Sequence, residues 1–185
     1  MYQNIIRERF ERASPFLSQG KNWYPEAHLW CLELSKEYDV PLRLVAGLTA
    51  LFSPLKSWEI NKRLVKEYLE CQECGTFSYQ RTRATNLWSE VIAHLDETKQ
   101  DNYIMKTLNG KKTVSFYHNI VYPYTSERVT IDSHIINVVS PGLYLTPKRY
   151  LCIEKSFQEV SKEVGLLPCH LQAILWIQQK QTKTI

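Results

Sequence analysis

The chain lacks any long apolar run: none approaches the roughly 18 residues that a membrane span needs. The opening segment, Met1 to Arg12, mixes Arg with Glu and has no apolar core of the secretory kind. A cytoplasmic protein with no membrane partner is therefore expected. Cysteine is sparse, and its number is odd, five in all. Without a secretory signal, free thiols are the expectation. Cys71 and Cys74 form one CxxC, but no second CxxC and no HxxxH follows. A structural zinc site takes four ligands, so these read as two incidental thiols near a helix end, and no metal is expected. No strand-like alternation persists, and there is no internal repeat and no low-complexity stretch. Neither sign of charge dominates: 23 Lys and Arg against 19 Asp and Glu leave a formal +4. That excess suits nucleic acid and suits an ordinary solvated surface equally well.

What is present is aromatic and helical. The 5 Trp and 11 Tyr argue against disorder. Ala27, Trp30, Leu34 and Tyr38 recur at helical spacing. Asp39-Val40-Pro41 then closes one helix and opens the next, with Asp39 as cap and Pro41 in the first turn. The following segment, near Leu42 to Phe52, is almost wholly apolar and reads as a buried central helix. Ser53-Pro54 breaks it. Helices are predicted from about Ser57 to Glu70 and from about Tyr79 to Leu95, with a short one from Asp101 to Leu108. Asn109-Gly110 is a turn signal. Lys112 to Val121 resumes an apolar pattern. Asp132 precedes the apolar run Ile135, Ile136, Val138, Val139, where a helix N-cap belongs. Tyr150, Ile153, Phe157, Val160 and Val164 keep a 3,4,3,4 spacing that Gly165 can close. Pro168 opens a last helix with Leu171, Leu175 and Gln178 on one face. The expected fold class is all-α, with the final helices folding back onto the first, because an N-terminal helix alone has little to bury against.

The chemistry concentrates between Leu108 and Val139, LNGKKTVSFYHNIVYPYTSERVTIDSHIINVV. Backbone N–H groups at a Gly turn and helix start can hold a DNA phosphate without reading sequence. A lysine just past such a turn becomes a nucleophile where burial and a neighbouring cation favour its neutral form. An Asp at a helix start is stabilised as an anion by exposed N–H groups and the helix dipole.

Leu108, Gly110, Lys112, Thr113, then Ile131, Asp132 and His134 resemble the pattern of the helix-hairpin-helix DNA glycosylases, roughly L-P-G-x-G-x-K-[TV] followed after about eighteen residues by [VI]-D-x-H. This is the superfamily of endonuclease III, adenine glycosylase and 8-oxoguanine glycosylase. A weaker match lies upstream, where Leu48 to Asn61, LTALFSPLKSWEIN, stands in the place of an apolar helix, a polar loop and a helix carrying Asn. The resemblance covers roughly residues 42 to 140. It implies a two-lobed helical fold without an iron–sulfur cluster, since only Cys152 and Cys169 stand where endonuclease III carries four cysteines. The central lobe would span about 42–140, and the second the N-terminal helix with about 141–185. It implies Lys112 as catalytic lysine, with Lys111 competing for that role, and Asp132 as catalytic aspartate. Asn109, Gly110, Lys111, Thr113, Ser53, Trp58 and His134 would face DNA, with both catalytic groups on one cleft. The hairpin LNGKK is about two residues shorter than the family's and lacks one glycine. Pro54-Leu55 stands where the family has its DNA-wedging Gln.

Ser53-Pro54, Ser57-Trp58 and Asn61, taken with Lys112, Phe116, Asn119, Asp132, His134 and the terminal Leu171 to Trp176, also look like a phage-associated branch. Glycosylase-like folds occur there among systems that hypermodify thymine. The expected function is thus a DNA N-glycosylase acting on a flipped base, with Schiff-base lyase activity. The alternatives are a pyrimidine-modifying transferase, for instance of an amine, and a non-catalytic DNA-binding module. No cofactor is needed. DNA is the expected partner, the protein a monomer, and the location the cytoplasm, that of the host if the chain is phage-encoded.

Overall fold

The computed structural model describes residues 2–72 and 78–182. Cys74 lies outside them, and with it the second half of the CxxC; the first, Cys71, is an exposed free thiol. Among the described residues every regular element is helical. They are α1 (Gln3–Glu11), a single 3-10 turn (Ser14–Phe16), α2 (Leu17–Glu37), α3 (Leu42–Phe52), α4 (Trp58–Cys71), α5 (Ser78–Ala93), α6 (Glu97–Leu108), α7 (Lys111–Val121), α8 (Ser133–Val139), α9 (Pro147–Glu163) and α10 (Pro168–Thr182). The all-α fold class is thereby shown. No helix among them is long and apolar enough to cross a membrane.

The chain divides into two compact units. One is His28–Val121; the other joins Met1–Ala27 to Tyr122–Ile185. The division runs inside α2 and after α7, rather than near residues 42 and 140.

The unit His28–Val121 is built around α3, which packs against α4, α5, α6 and α7. Every residue from Leu44 to Phe52 is buried. Burying each Leu, Val or Phe side chain contributes roughly 1.5–3 kcal/mol, which makes α3 the core of this unit. Its one buried hydroxyl, on Thr49, donates to Val45 O at 2.8 Å. A helix leaves its last carbonyls without partners, and here three side chains supply them. Asn61 Nδ2 donates to Thr49 O (3.0 Å), Ser53 Oγ to Ala50 O (2.9 Å) and Gln80 Nε2 to Leu51 O (3.2 Å).

The other unit is built around α10, which packs against α8, α9, α1 and the 3-10 turn. The C-terminal helices do fold back on the first one: α1 touches α8, α9 and α10. Ile6 joins Ile135, Val138, Ile153, Phe157, Leu171, Ile174 and Leu175 in one apolar core. The α2–α10 crossing is close enough that a Cβ on Gly20 would stand 2.4–2.7 Å from Ile174 atoms, its backbone included. Two buried glutamines of α10 are satisfied: Gln172 Oε1 accepts from Tyr24 Oη at 2.8 Å, and Gln178 Nε2 donates to Arg9 O at 3.2 Å.

Three sequence expectations are corrected. Asp39 does not cap α3. It takes a left-handed conformation (φ 51°) past the end of α2, where Val40 N–H reaches back to Ser35 O at 3.0 Å. That is a C-terminal closure usually given to glycine, and Pro41 is the residue that precedes α3. Second, α2 begins ten residues before Ala27, at Leu17, and continues through Pro25. Third, α6 begins at Glu97 rather than Asp101, because the Asp96 carboxylate accepts from Lys99 N at 2.9 Å and caps it.

Candidate functional site

The hairpin is a tight one. Helix α6 ends on Asn109 in a left-handed conformation (φ 52°), whose N–H bonds to Met105 O at 3.2 Å. Gly110 follows, and α7 starts at Lys111. Thr113 Oγ1 donates to Gly110 O at 3.0 Å, and Val114 N–H to the same carbonyl at 2.9 Å. The Thr113 hydroxyl is therefore spent on the turn itself. Below the turn, Tyr117 of α7 hydrogen-bonds Asp101 of α6, and Arg43 of α3 bonds Asp101 at 3.0 Å. Arg43 also pairs with Glu97 at 3.0 Å. These charge-assisted bonds lock the hairpin arms to the central helix. Tyr117 is fully buried, so it packs rather than lines a pocket. Lys111 is exposed and Lys112 half-buried, and neither makes an ion pair or side-chain hydrogen bond among the described residues.

In the same unit, Ser53 donates its hydroxyl to the end of α3 as described. Trp58 is half-buried, edge-on to Trp30 with centroids 5.5 Å apart, and Lys62 Nζ lies 5.8 Å from its ring. Between Ser53 and Trp58 the loop turns through Leu55, which is fully exposed and has φ 61°. The left-handed region disfavours a bulky side chain, and an isolated exposed leucine buries nothing.

Asp132 is held differently. The extended segment before it has its backbone groups met by side chains of α9. Val129 N–H donates to Glu154 Oε1 at 3.2 Å, Tyr150 Oη donates to Val129 O at 2.6 Å, and Ile131 N–H donates to Tyr150 Oη at 3.4 Å. Thr130 adds a buried bond with Tyr24 Oη at 2.9 Å. Asp132 then caps α8, Oδ1 accepting from Ile135 N–H at 2.9 Å. Its other oxygen, Oδ2, accepts from Trp176 Nε1 at 2.9 Å. The helix-start hydrogen bond thus belongs to Asp132, and His134 Nδ1 is buried with no hydrogen-bond partner among the described residues. The His134 ring stands edge-on to Trp176 at 6.0 Å.

The predicted residues therefore fall into two groups. Ser53, Trp58, Asn109, Gly110, Lys111, Lys112 and Thr113 belong to the unit His28–Val121, and Asp132 and His134 to the other. The residue that sequence reasoning missed is Trp176. Its contact with Asp132 spans 44 positions, and no local spacing reports such a pair. The expected pair of C-terminal cysteines is split, Cys152 exposed and Cys169 buried. Burial pushes the Cys169 thiol up to about 12. Among the described residues no group of three His, Cys, Asp or Glu is placed to hold a metal ion.

No curated protein and no solved structure matches the chain. Residues 1–183 match the model of a family described as "Family of unknown function (DUF7178)", and the chain belongs to that family.

Proposed function

We propose that the protein processes a base in DNA, with Lys112 as the nucleophile and Asp132 as the anion that accompanies positive charge on the sugar. The α6–α7 hairpin is the observation that carries this reading. Its first-turn N–H groups, its Gly110 and its unpaired Lys111 are what a phosphate needs. Lys112 stands one residue further on, with no carboxylate partner among the described residues. Leu55 adds support, because an exposed apolar side chain at a loop tip is suited to insert between base steps of bent DNA. Asn109, Ser53, Trp58 and His134 belong to the same reading as DNA-facing groups, and Thr113 as the residue whose hydroxyl braces the turn.

In the proposed reaction a flipped nucleotide, extruded at a cost of a few kcal/mol, presents its C1′ to the neutral Lys112 amine. The new C–N bond forms as the glycosidic bond breaks, and the base leaves with the electron pair and takes up a proton. Opening of the sugar gives a Schiff base, from which a strand phosphate can be eliminated.

Borohydride trapping on abasic and lesion-bearing duplexes tests this. The wild type should form a covalent adduct that Lys112→Ala abolishes while keeping most of its DNA binding. Binding itself should weaken with salt at a log–log slope of about −0.9 per phosphate contact. Trapping lost only in Lys111→Ala would move the nucleophile one residue back. Neither trapping nor base release on any duplex would defeat the reading, and a changed base mass without release would replace excision by base modification.

A further inference from the structure

We propose that Trp176 is the positioning residue of Asp132, holding its carboxylate as a fixed anion that favours a cationic ligand group and does not shuttle protons. The proposal rests on the base-excision reading for its ligand, and on the geometry of one unit for everything else. A carboxylate whose two oxygens each accept an N–H bond is fixed in orientation as well as bound. Asp132 meets that condition, with Ile135 N–H on Oδ1 and the Trp176 indole on Oδ2, both at 2.9 Å. The backbone bond alone would leave the carboxyl plane free to rotate about Oδ1. The indole bond, arriving from α10, fixes the plane.

The indole is itself held. The Trp23 ring lies edge-on at 5.8 Å and the His134 ring at 6.0 Å. Lys180 Nζ sits 4.3 Å from the Trp176 ring centroid. An ammonium over an indole face draws π density toward itself, which makes the N–H a stronger donor to Asp132. The arrangement thus couples a cation to the carboxylate through an aromatic ring, without letting the two charges pair directly. Turning the carboxyl to hand a proton on would break one of the two N–H bonds that hold its plane.

The test compares two duplexes that differ at one residue, a neutral tetrahydrofuran abasic analogue and its cationic pyrrolidine counterpart. The wild type should bind the cationic duplex at least about tenfold tighter, the scale of one charge-assisted hydrogen bond. Trp176→Phe keeps the aromatic packing and removes the N–H. It should cut that preference several-fold while changing affinity for the neutral duplex less than about twofold, and Asp132→Asn should remove the preference. An unchanged ratio in Trp176→Phe would overturn the proposal, as would equal binding of both duplexes by the wild type. If the wild type binds neither, the excision reading fails, and indole NMR decides the pairing by itself. The Trp176 Hε1 resonance, identified by its loss in Trp176→Phe, should shift on acid titration with an inflection that Asp132→Asn removes. A resonance indifferent to both would overturn it.

Discussion

The two units solve the same problem, a helix buried on all sides, with different chemistry. In the buried stretch of α3, Leu44–Phe52, the one polar side chain is Thr49, satisfied within its own helix, and the helix end is closed by Asn61, Ser53 and Gln80. In α10 the polar load is internal: Gln172 and Gln178 are buried and reach Tyr24 and Arg9 across the unit. The difference extends to the candidate residues. The α3 unit fixes a backbone turn and leaves Lys112 unengaged, whereas the α10 unit fixes a side chain, Asp132, by both oxygens. Under the proposed reading, a side chain without a carboxylate partner suits a lysine that must act as a neutral amine, and a fixed carboxylate suits an electrostatic stabiliser.

The largest test of this contrast concerns how each central helix tolerates added volume. Gly20→Ala places a methyl group within 2.4–2.7 Å of Ile174 backbone and side-chain atoms. Backbone cannot yield as a rotamer can, and overpacking of this kind costs about 3 kcal/mol. For a chain of this size that lowers the melting temperature by about 6–12 °C. Gly47→Ala in α3 meets only Ile104 Cγ2 at 3.2 Å and Leu87 methyls at 3.4 Å. These are side-chain methyls rather than backbone atoms, and alanine's helix preference of about 1 kcal/mol offsets the crowding. Its melting temperature should move by no more than about 3 °C. Equal effects at the two glycines would show that the α2–α10 crossing is looser than described.

A middle-sized effect separates Asp132 from Lys112. Asp132→Ala removes an N-cap, worth about 1 kcal/mol, and leaves the Trp176 N–H without its acceptor, worth about 1–3 kcal/mol more. Denaturant unfolding should report a loss of about 2–4 kcal/mol. Lys112→Ala breaks no interaction among the described residues and should stay within about 0.5 kcal/mol of the wild type. A comparable loss at Lys112 would reveal that its amine is structurally engaged and unsuited to act as a free nucleophile.

The contrast also explains what was legible in the sequence. The limits of α3, Leu42–Phe52, could be read because an unbroken apolar run between a Pro and a Ser-Pro has one interpretation. Helix α10 reads as one-sided, with Leu171, Leu175 and Gln178 on its face, because Gln172 looks like a solvent-facing residue until its distant partner is known. The start of α2 was hidden by Gly20 and Pro25, two residues that disfavour helix interiors and that tertiary packing overrides. The hairpin turn and the Asp132 cap were visible because each is a local backbone device with a residue signature. Asp39 carried such a signature too and misled, since Asp also tolerates the left-handed conformation. Trp176, Tyr150 and Glu154 act on the 129–132 segment from far along the chain, and no pattern within a helix turn encodes that.

The smallest effect sharpens the contrast through pH. His170, at the start of α10, is half-buried, and its Nε2 lies 2.9 Å from Pro123 O, to which the neutral ring can donate. Burial is the main cause that lowers its pKa; the Pro123 carbonyl opposes the shift and Lys21 adds to it. The folded state therefore binds this proton less readily than the unfolded chain does. Stability from the group is complete above the ordinary histidine value of about 6.5 and is lost as pH falls through the lowered folded value. The α10 unit should thus weaken on mild acidification. His170→Gln keeps a donor for Pro123 O and has no proton to gain. Its melting temperature should fall less than that of the wild type between pH 7 and pH 5. The other histidines are common to both proteins, so the difference between the two curves isolates His170. Parallel curves would mean that burial does not hinder the ring from taking up its proton, and that the α10 unit carries no acid sensitivity from this position.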